Sequence, residues 1–259
     1  MTVRQLAILL GVMIAFAGCG APARRHVPPL EVRPLEPAIA ERVAQYGPVA
    51  RARLAPYFAA AGVAYPPERF VLVGLKFERT LELLASGSGR GLTFIRSYPI
   101  LGASGTLGPK LREGDEQVPE GVYGIVYLNP NSVAHLSLAL SYPNDYDRAR
   151  AADDGRSALG GDIMIHGGWT SYGCLAIGDE AAEDLFVLAA DAGWQDAVVV
   201  VSPVDFRKRD VRVDPSEPPW VEDLYRRLRA DLDGVPGNPF GVADGVTVVD
   251  VPGGDAVAP

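Results

Sequence analysis

Residues 163–177 read IMIHGGWTSYGCLAI, and this stretch decides the fold and the chemistry that we expect of the chain. An apolar, strand-like triplet leads into His166, and Cys174 follows eight residues later with three glycines between them. Glycines permit a tight loop that returns the thiol to the imidazole. A cysteine is a modest nucleophile until it loses its proton, so it needs a base or a cation within hydrogen-bond reach. The pattern therefore predicts acyl transfer, with Cys174 as the nucleophile and His166 as its base.

Two other interpretations of this pair stay open on the residues alone. A lone cysteine is often a small buried core residue. A structural zinc site needs four ligands. The other cysteine of the chain, Cys19, is not available for one if it is acylated, as argued below, although Asp162 or Asp179 would complete a set with the pair. His135 lies in an alternating strand, where a polar residue with a satisfied hydrogen bond is the commoner case. We expect no metal and no cofactor.

The first twenty residues, MTVRQLAILLGVMIAFAGCG, have the form of a secretory signal peptide: an arginine, an apolar stretch and small residues before a cysteine. The apolar run is shorter than the roughly 20 residues that a membrane-spanning helix needs. Residues 16–19, FAGC, resemble the bacterial lipobox, which implies cleavage after residue 18 and acylation of Cys19. An ordinary signal peptide cut nearby is the alternative. We expect an exported protein that faces the periplasm on a lipid anchor, and the absence of aspartate at position 20 favours the outer membrane.

Acylation of Cys19 would leave Cys174 without a partner, because the chain has only two cysteines. An unpaired thiol in an exported protein indicates a reactive site when it is not buried. The formal net charge of -8, with no run of lysine and arginine, excludes a protein that follows the phosphates of a nucleic acid.

The residues from 69 onward favour an α+β fold that is rich in strands. Short runs alternate apolar and polar residues between Gly, Pro, Asn and Asp clusters, which is typical of a mostly antiparallel sheet. The runs are 70–77, 80–86, 92–100, 121–128 and 135–142, followed by the continuous apolar strand 197–206. Helices are expected within 37–61, with an interruption near Gly47-Pro48, and at 180–192 and 220–232. The predicted segments are a signal peptide (1–18), a tether (19–36), a helical segment (37–68), a catalytic domain (69–206), and a terminal helix with a mobile tail (207–259).

Three motifs in order resemble one known family. The segment IMIHGGWTSYGCLAIGD is similar to the active-site signature of the L,D-transpeptidase (YkuD-type) superfamily, a histidine-glycine pair followed by Ser-x-Gly-Cys. GPKLREGDEQVPEGVYGI (108–125) and LNPNSVAHLSLALSYPNDYDR (128–148) resemble its YafK-like branch. The matches run through 70–206.

The resemblance implies a β-rich L,D-transpeptidase-like domain flanked by N- and C-terminal helices. In such a domain Cys174 would attack the carbonyl of the third residue of a peptidoglycan stem peptide. D-Alanine would leave, and an amine of another stem or of a wall-linked lipoprotein would accept the acyl group. His166 would accept and donate the proton, and Gly173 and the Cys174 amide would contribute to an oxyanion hole. Ser171 would orient the imidazole, unless it is a turn hydroxyl bonded to backbone.

The same blocks offer residues for binding the substrate. Lys110 and Arg112 would meet the acidic stem peptide, unless they are ordinary surface charges. Tyr142 and Arg148 would line the cleft. Trp169, inside the catalytic loop, would pack against sugar or peptide, with a loop anchor as the plainer alternative.

One departure leaves the acyl acceptor open. Better-known members of the family carry an arginine soon after the cysteine, whereas this chain has Leu175 and Ala176. The acceptor is then a stem amine, a protein lysine or water, and with water the enzyme would be a hydrolase that frees lipoprotein from the wall. A non-catalytic wall-binding lipoprotein on the same fold is the third hypothesis.

Overall fold

The computed structural model describes residues 35–87, 89–237 and 247–251. The predicted signal peptide, Cys19 and nearly all of the predicted tether lie outside these residues. In the part of the chain that is described, no helix has both the length and the apolar character needed to cross a bilayer.

The helices are α1 (Leu35–Ala61), α2 (Asp145–Asp153), α3 (Asp179–Ala192) and α4 (Trp220–Asp233). The strands are β1 (Arg69–Leu75), β2 (Thr80–Ser86), β3 (Thr93–Pro99), β4 (Gly121–Ser132), β5 (His135–Leu140), β6 (Met164–His166), β7 (Leu175–Ala176), β8 (Val198–Ser202), β9 (Arg209–Val213) and β10 (Thr247–Val251).

Eight strands form one sheet in the order β3-β2-β1-β8-β4-β5-β6-β7. Five of its seven neighbouring pairs are antiparallel, and the pairs β1/β8 and β6/β7 are parallel. The predicted α+β, β-rich, mostly antiparallel fold is therefore confirmed. The expected strands and the helix at 180–192 are present, and α2 was not predicted, although the Asn144 capping box that starts it is written in the sequence.

The sheet is buried on both faces, and successive side chains of a strand enter the two cores in turn because they point to opposite sides of the sheet. From β1, Phe70 and Leu72 join the core that lies with α3, whereas Val71, Val73 and Leu75 join the core that lies with α4. The stripe predicted for α4 is confirmed, since its leucines at 224, 228 and 232 are all buried.

The first helix differs from the prediction, because α1 runs through Gly47-Pro48 without a break. Tertiary packing outweighs the cost of proline here. Leu54 and Phe58 are buried against the core, and Arg51 donates two hydrogen bonds of 2.7 Å to Asp191 on α3. The helix therefore packs against α3 and against the strands β3 and β4.

The tail after Gly234 also differs in part from the prediction that it is mobile. Residues 247–251 form β10, which pairs in parallel with β9. The segment TVVDV is rich in β-branched residues, which fit a pleated strand. Residues 238–246 and 252–259 lie outside the described residues.

A buried ion pair holds the long connection between β3 and β4. Lys76 Nζ, just after β1, donates to Glu120 Oε1 at 2.8 Å and to the carbonyl oxygens of Gly108 and Val118. Glu120 also accepts hydrogen bonds from the Gly108 amide and from the Tyr225 hydroxyl. Burial lowers the pKa of Lys76, and the charge of Glu120 opposes that shift. The connection is thus fixed from within the core.

Replacing Lys76 tests how much the fold depends on this pair. Lys76→Met would leave the Glu120 carboxylate buried without its cation, so we expect the free energy of unfolding to fall by about 3–5 kcal/mol. Urea denaturation followed by circular dichroism measures the change. Arg226→Met is the control, because Arg226 pairs with Asp223 at the exposed surface of α4. Equal midpoints for the two variants would contradict the assigned role.

Candidate active site

Strand pairing brings His166 and Cys174 to the same face of the sheet. β6 and β7 run in parallel, with Ile165 opposite Leu175 and His166 opposite Ala176. Ile165 and Leu175 are both fully buried in the core. Since side chains alternate along a strand, His166 faces away from that core, and so does Cys174, one residue before β7. In this register Cys174 comes two residues before Ala176, the residue that is paired with His166.

The loop between the two strands is anchored at its start. The Gly168 amide donates to Asp179 Oδ1 at 2.8 Å, and the Gly178 amide donates to the Gly168 carbonyl oxygen. A Cβ atom at Gly167 would lie 2.6 Å from Asp179 Oδ1 and 2.8 Å from His135 Cβ, so a glycine is required there. The first turn of α3 therefore sets the path of the loop.

Ser171 closes a turn around the cysteine. Its hydroxyl donates to the Cys174 carbonyl oxygen at 2.6 Å and accepts the Cys174 amide at 3.1 Å. These are the contacts of a turn hydroxyl, one of the two roles considered for it. Among the described residues, its hydrogen bonds do not include the His166 ring.

The amide that precedes the cysteine has a partner from a distant loop. The Gly173 amide donates to Ser104 Oγ at 2.6 Å, and the Ser104 hydroxyl donates to the Glu116 carbonyl oxygen at 2.6 Å. Gly173 has a φ of +91°, in the region that favours glycine, and a Cβ atom there would lie 3.3 Å from the Gln117 carbonyl oxygen. Sequence reasoning missed Ser104, because it belongs to none of the three motifs.

The hydrogen bond of His166 defines its tautomer. Nδ1 lies 2.6 Å from the Gly167 carbonyl oxygen, which only accepts, so Nδ1 carries the hydrogen atom. In the neutral imidazole, Nε2 is then the unprotonated nitrogen. The side chain is buried, which shields this arrangement from solvent.

The surroundings of Cys174 favour the neutral thiol. Its Sγ donates to the Asp162 carbonyl oxygen at 3.6 Å. Burial raises the pKa of the Cys174 thiol, and the Asp162 charge raises it further, while the Met164 amide and the Lys110 charge lower the pKa. The sulfur therefore needs a base at the moment of attack, rather than resting as a thiolate.

The plainer alternatives considered for Lys110 and Trp169 do not describe their environments. An ordinary surface charge is exposed, and a loop anchor is packed. Lys110 is buried, and its Nζ donates to the Arg112 carbonyl oxygen at 2.8 Å and to Asp115. Trp169 is 78% exposed on the catalytic loop. Tyr172, which sequence reasoning did not single out, is 74% exposed on the same loop. The loop thus presents two aromatic side chains to solvent.

The other three predicted substrate-binding residues make their described contacts with residues other than Cys174. Arg112 is exposed, and its amide donates to Asp115. Tyr142 is buried, and its hydroxyl donates to the carbonyl oxygens of Lys110 and Leu159 at 3.4 and 3.2 Å. Arg148 is exposed on α2 and lies 3.7 Å from Asp145.

The histidines and carboxylates considered for zinc have other partners. His135 Nε2 lies 3.1 Å from Glu183 Oε1, Asp179 accepts the Gly168 amide, and Asp162 meets the cysteine through its carbonyl oxygen. Within residues 35–87, 89–237 and 247–251, no three His, Cys, Asp or Glu side chains are arranged to hold a metal ion.

The pH dependence of Cys174 alkylation tests these electrostatics. We expect the iodoacetamide reaction of the free protein to have a midpoint above the value of about 8.5 for a free thiol. Asp162→Asn removes a charge that raises the pKa, so its midpoint should fall; Lys110→Met removes a charge that lowers it, so its midpoint should rise. Mass spectrometry of the Cys174 peptide follows the reaction. Lys208→Met is the control, and shifts of Asp162→Asn and Lys110→Met in the same direction would contradict the assignment.

Comparison with known proteins gives relatives but no matching family model. The chain is 32% identical over 161 residues to the "Putative L,D-transpeptidase YafK" of Escherichia coli strain K12, and equally to that of strain O157:H7. The match covers 61% of this chain and 63% of those proteins, so the chain spans less than two thirds of the length of these curated relatives.

Comparison with solved structures finds two bacterial proteins among its matches. One is the helical cell shape determining protein Pgp2 of Campylobacter jejuni, with a TM-score of 0.42, 22% identity, and coverage of 52% of this chain and 48% of that one. Another is L,D-transpeptidase 1 of Mycobacterium tuberculosis, with a TM-score of 0.31, 16% identity, and coverage of 52% and 62%.

Proposed function

Because this chain belongs to the L,D-transpeptidase superfamily of the YkuD type, we propose that it is a peptidoglycan-modifying cysteine acyltransferase. The observation that supports the proposal is the parallel pairing of β6 with β7, because the strand that ends at His166 runs beside the strand that directly follows Cys174. The relatives named YafK support the same reaction class.

The first step of the proposed reaction acylates the enzyme. Nε2 of His166 takes the thiol proton while Cys174 Sγ attacks the carbonyl carbon of the third residue of a stem tetrapeptide. The carbonyl π electrons move to oxygen, which gives a tetrahedral oxyanion. Its collapse breaks the bond to the D-alanine nitrogen, and the imidazolium returns the proton to that leaving amine. The products of this step are D-alanine and a thioester on Cys174.

The second step resolves the thioester. An amine on another stem peptide, or on a wall-linked lipoprotein, attacks the thioester carbonyl and gives up its proton to His166. The carbon–sulfur bond breaks, an amide forms, and the thiol regains its proton. The proposal therefore names peptidoglycan stem peptides as the substrates and a wall-linked lipoprotein as the second partner.

Hydrolysis is the second candidate function. Leu175 and Ala176, which stand where better-known members of the family carry an arginine, are both fully buried. The two side chains after the nucleophile therefore supply no positive charge to bind a substrate carboxylate. With water as the acceptor, the same Cys174 and His166 would release lipoprotein from the wall.

The proposed location matches these substrates. We propose that the protein lies on the periplasmic side of the outer membrane, where acyl chains on Cys19 hold it. Each methylene group of those chains that is buried in the bilayer adds about 0.8 kcal/mol to membrane binding. A wall-modifying enzyme needs this access, because peptidoglycan lies in the same compartment.

Product analysis on defined muropeptides tests the proposal. The full-length protein, incubated with a disaccharide tetrapeptide, should release D-alanine and form an acyl adduct on Cys174. Cys174→Ala should abolish both, and His166→Asn should lower the rate of release by about 100-fold or more, since general-base catalysis contributes about 10²–10⁴. Ser216→Ala, in an exposed turn before α4, is the control.

The masses of the products separate the candidates. A cross-linked dimer indicates transfer to a stem amine, and a free tripeptide indicates hydrolysis. A lipoprotein-loaded muropeptide that loses its protein identifies the wall-releasing hydrolase. Folded wild-type protein that yields no D-alanine, no adduct and no released lipoprotein would overturn the enzymatic proposal in favour of a wall-binding lipoprotein.

A further inference from the structure

We propose that Asp162, together with Tyr127, receives the amine of the acyl acceptor, and that the Asp162 carboxylate favours amines over water in the second step. The inference rests on the proposed function, in which Cys174 carries the acyl group. It begins with the place of Asp162 beside the nucleophile. The Asp162 carbonyl oxygen accepts a hydrogen bond from Cys174 Sγ at 3.6 Å, and the Asp162 side chain is exposed.

The Asp162 carboxylate is available to a ligand. Within the described ranges it accepts no hydrogen bond and forms no ion pair. The space beside it is open, since a Cβ atom on the preceding Gly161 would meet no heavy atom within 4 Å beyond its chain neighbours. Lys110, the other charged side chain that acts on the thiol in the described structure, is already paired with Asp115. Of these two charges, that of Asp162 is therefore the one left for the substrate.

An irregularity in β4 turns Tyr127 toward the nucleophile. The pairing of β4 with β5 shifts register between Ile125 and Tyr127, so that Ile125 enters the core whereas Tyr127 stands opposite Ala139. Ala139 is in turn opposite Met164 on β6. Bulges next to active sites often redirect a side chain in this way. Tyr127 therefore lies on the same face of the sheet as Met164, which follows Asp162 by two residues.

The phenol and the carboxylate are close enough to act on one ligand. Burial raises the pKa of Tyr127, and the charge of Asp162 raises that pKa further. The two side chains make no hydrogen bond to each other in the described part of the chain, so they lie farther apart than a hydrogen bond. An amino group that enters this gap binds both, because a protonated amine has three donors and both oxygens accept.

The charge of Asp162 distinguishes an amine from water as the acceptor. An ammonium ion drawn to the carboxylate loses one proton to water, and the neutral nitrogen attacks the thioester carbonyl carbon. The nitrogen carries a positive charge until it passes a second proton to Nε2 of His166. The sulfur takes that proton as the carbon–sulfur bond breaks. Water that gives its proton to His166 during attack builds up no such charge, so a fixed carboxylate stabilises the transition state for amine transfer.

The ratio of amine product to free tripeptide isolates this effect. Both products come from the same thioester, so the influence of Asp162 on the thiol pKa and on the oxyanion is common to both. Full-length protein is incubated with a disaccharide tetrapeptide as the donor and with Nα-acetyl-lysine amide as the acceptor, which has one amine and no carboxylate. Mass spectrometry measures the two products.

Removing the charge should shift the ratio toward hydrolysis. Asp162→Asn should lower the ratio of amine product to tripeptide by about 5- to 20-fold, as expected for a unit charge near the surface. Asparagine suits the φ of +55° at this position, and Asp162→Gly, which also suits it, is the second variant if Asp162→Asn does not fold. Tyr127→Phe should lower the ratio by about 2- to 5-fold, since it removes one neutral acceptor.

Two controls separate charge from support of the backbone. Glu41→Gln removes an exposed charge from α1, which packs against α3, and it should leave the ratio unchanged. Salt should lower the wild-type ratio toward that of Asp162→Asn and leave the ratio of the variant nearly constant, because exposed charges are screened within about 10 Å at 0.1 M salt. A purely structural role of Asp162 predicts no such convergence.

The acceptor itself identifies the source of the amine. If cross-linked dimer from a second tetrapeptide also depends on Asp162, the site takes stem amines, and if the lysine product alone depends on it, the site takes protein lysines. Either result supports an amine site.

Equal ratios in wild type and Asp162→Asn, or a wild-type protein that yields tripeptide alone, would overturn the inference while leaving the Cys174 chemistry intact. A folded wild-type protein that neither releases D-alanine nor forms an acyl adduct would instead count against the proposed function.

Discussion

The buried ion pair between Lys76 and Glu120 is the constraint on which the candidate site depends. It joins the end of β1 to the start of β4 and holds the Gly108 backbone between them. Two charges are tolerated in the core only because carbonyl oxygens, an amide and the Tyr225 hydroxyl satisfy their remaining hydrogen bonds. A connection as long as that between β3 and β4 would otherwise sample many conformations. Held in this way, the connection places the Ser104 hydroxyl and the Gln117 carbonyl oxygen beside Gly173.

The arrangement around Cys174 suits a nucleophile that is activated only when substrate is present. Burial raises the pKa of the Cys174 thiol, and the Gly167 carbonyl oxygen takes the hydrogen bond of Nδ1, so Nε2 is the basic nitrogen of the neutral His166 ring. In the proposed reaction the proton moves as the carbon–sulfur bond forms, so no thiolate is present before the substrate binds. A protonated thiol is also less prone to oxidation than a thiolate.

Parts of the fold and of the site were readable because they rest on local patterns. Alternation of apolar and polar residues predicted the strands, and a leucine every fourth residue predicted the buried face of α4. Prediction was wrong where distant contacts outweigh local preference: α1 continues through Pro48 because salt bridges and core packing hold it to α3. The tail forms β10 because β9 offers it an edge. Burial of Lys110 and Tyr142 likewise depends on how the connection folds back on itself.

By itself, the sequence determined that a strand leads into His166 and that a glycine-rich loop and a cysteine follow it, since spacing and glycine content are local properties of the chain. It also determined the alternation that makes the domain β-rich. Only the tertiary structure decided which hydroxyl meets the Gly173 amide, because that contact joins residues 69 positions apart. It depends on the register of β6 and β7, on the bridge between Gly102 and Ala176, and on the buried ion pair between Lys76 and Glu120. Each of these is a pairing between distant segments, which no single stretch of sequence specifies.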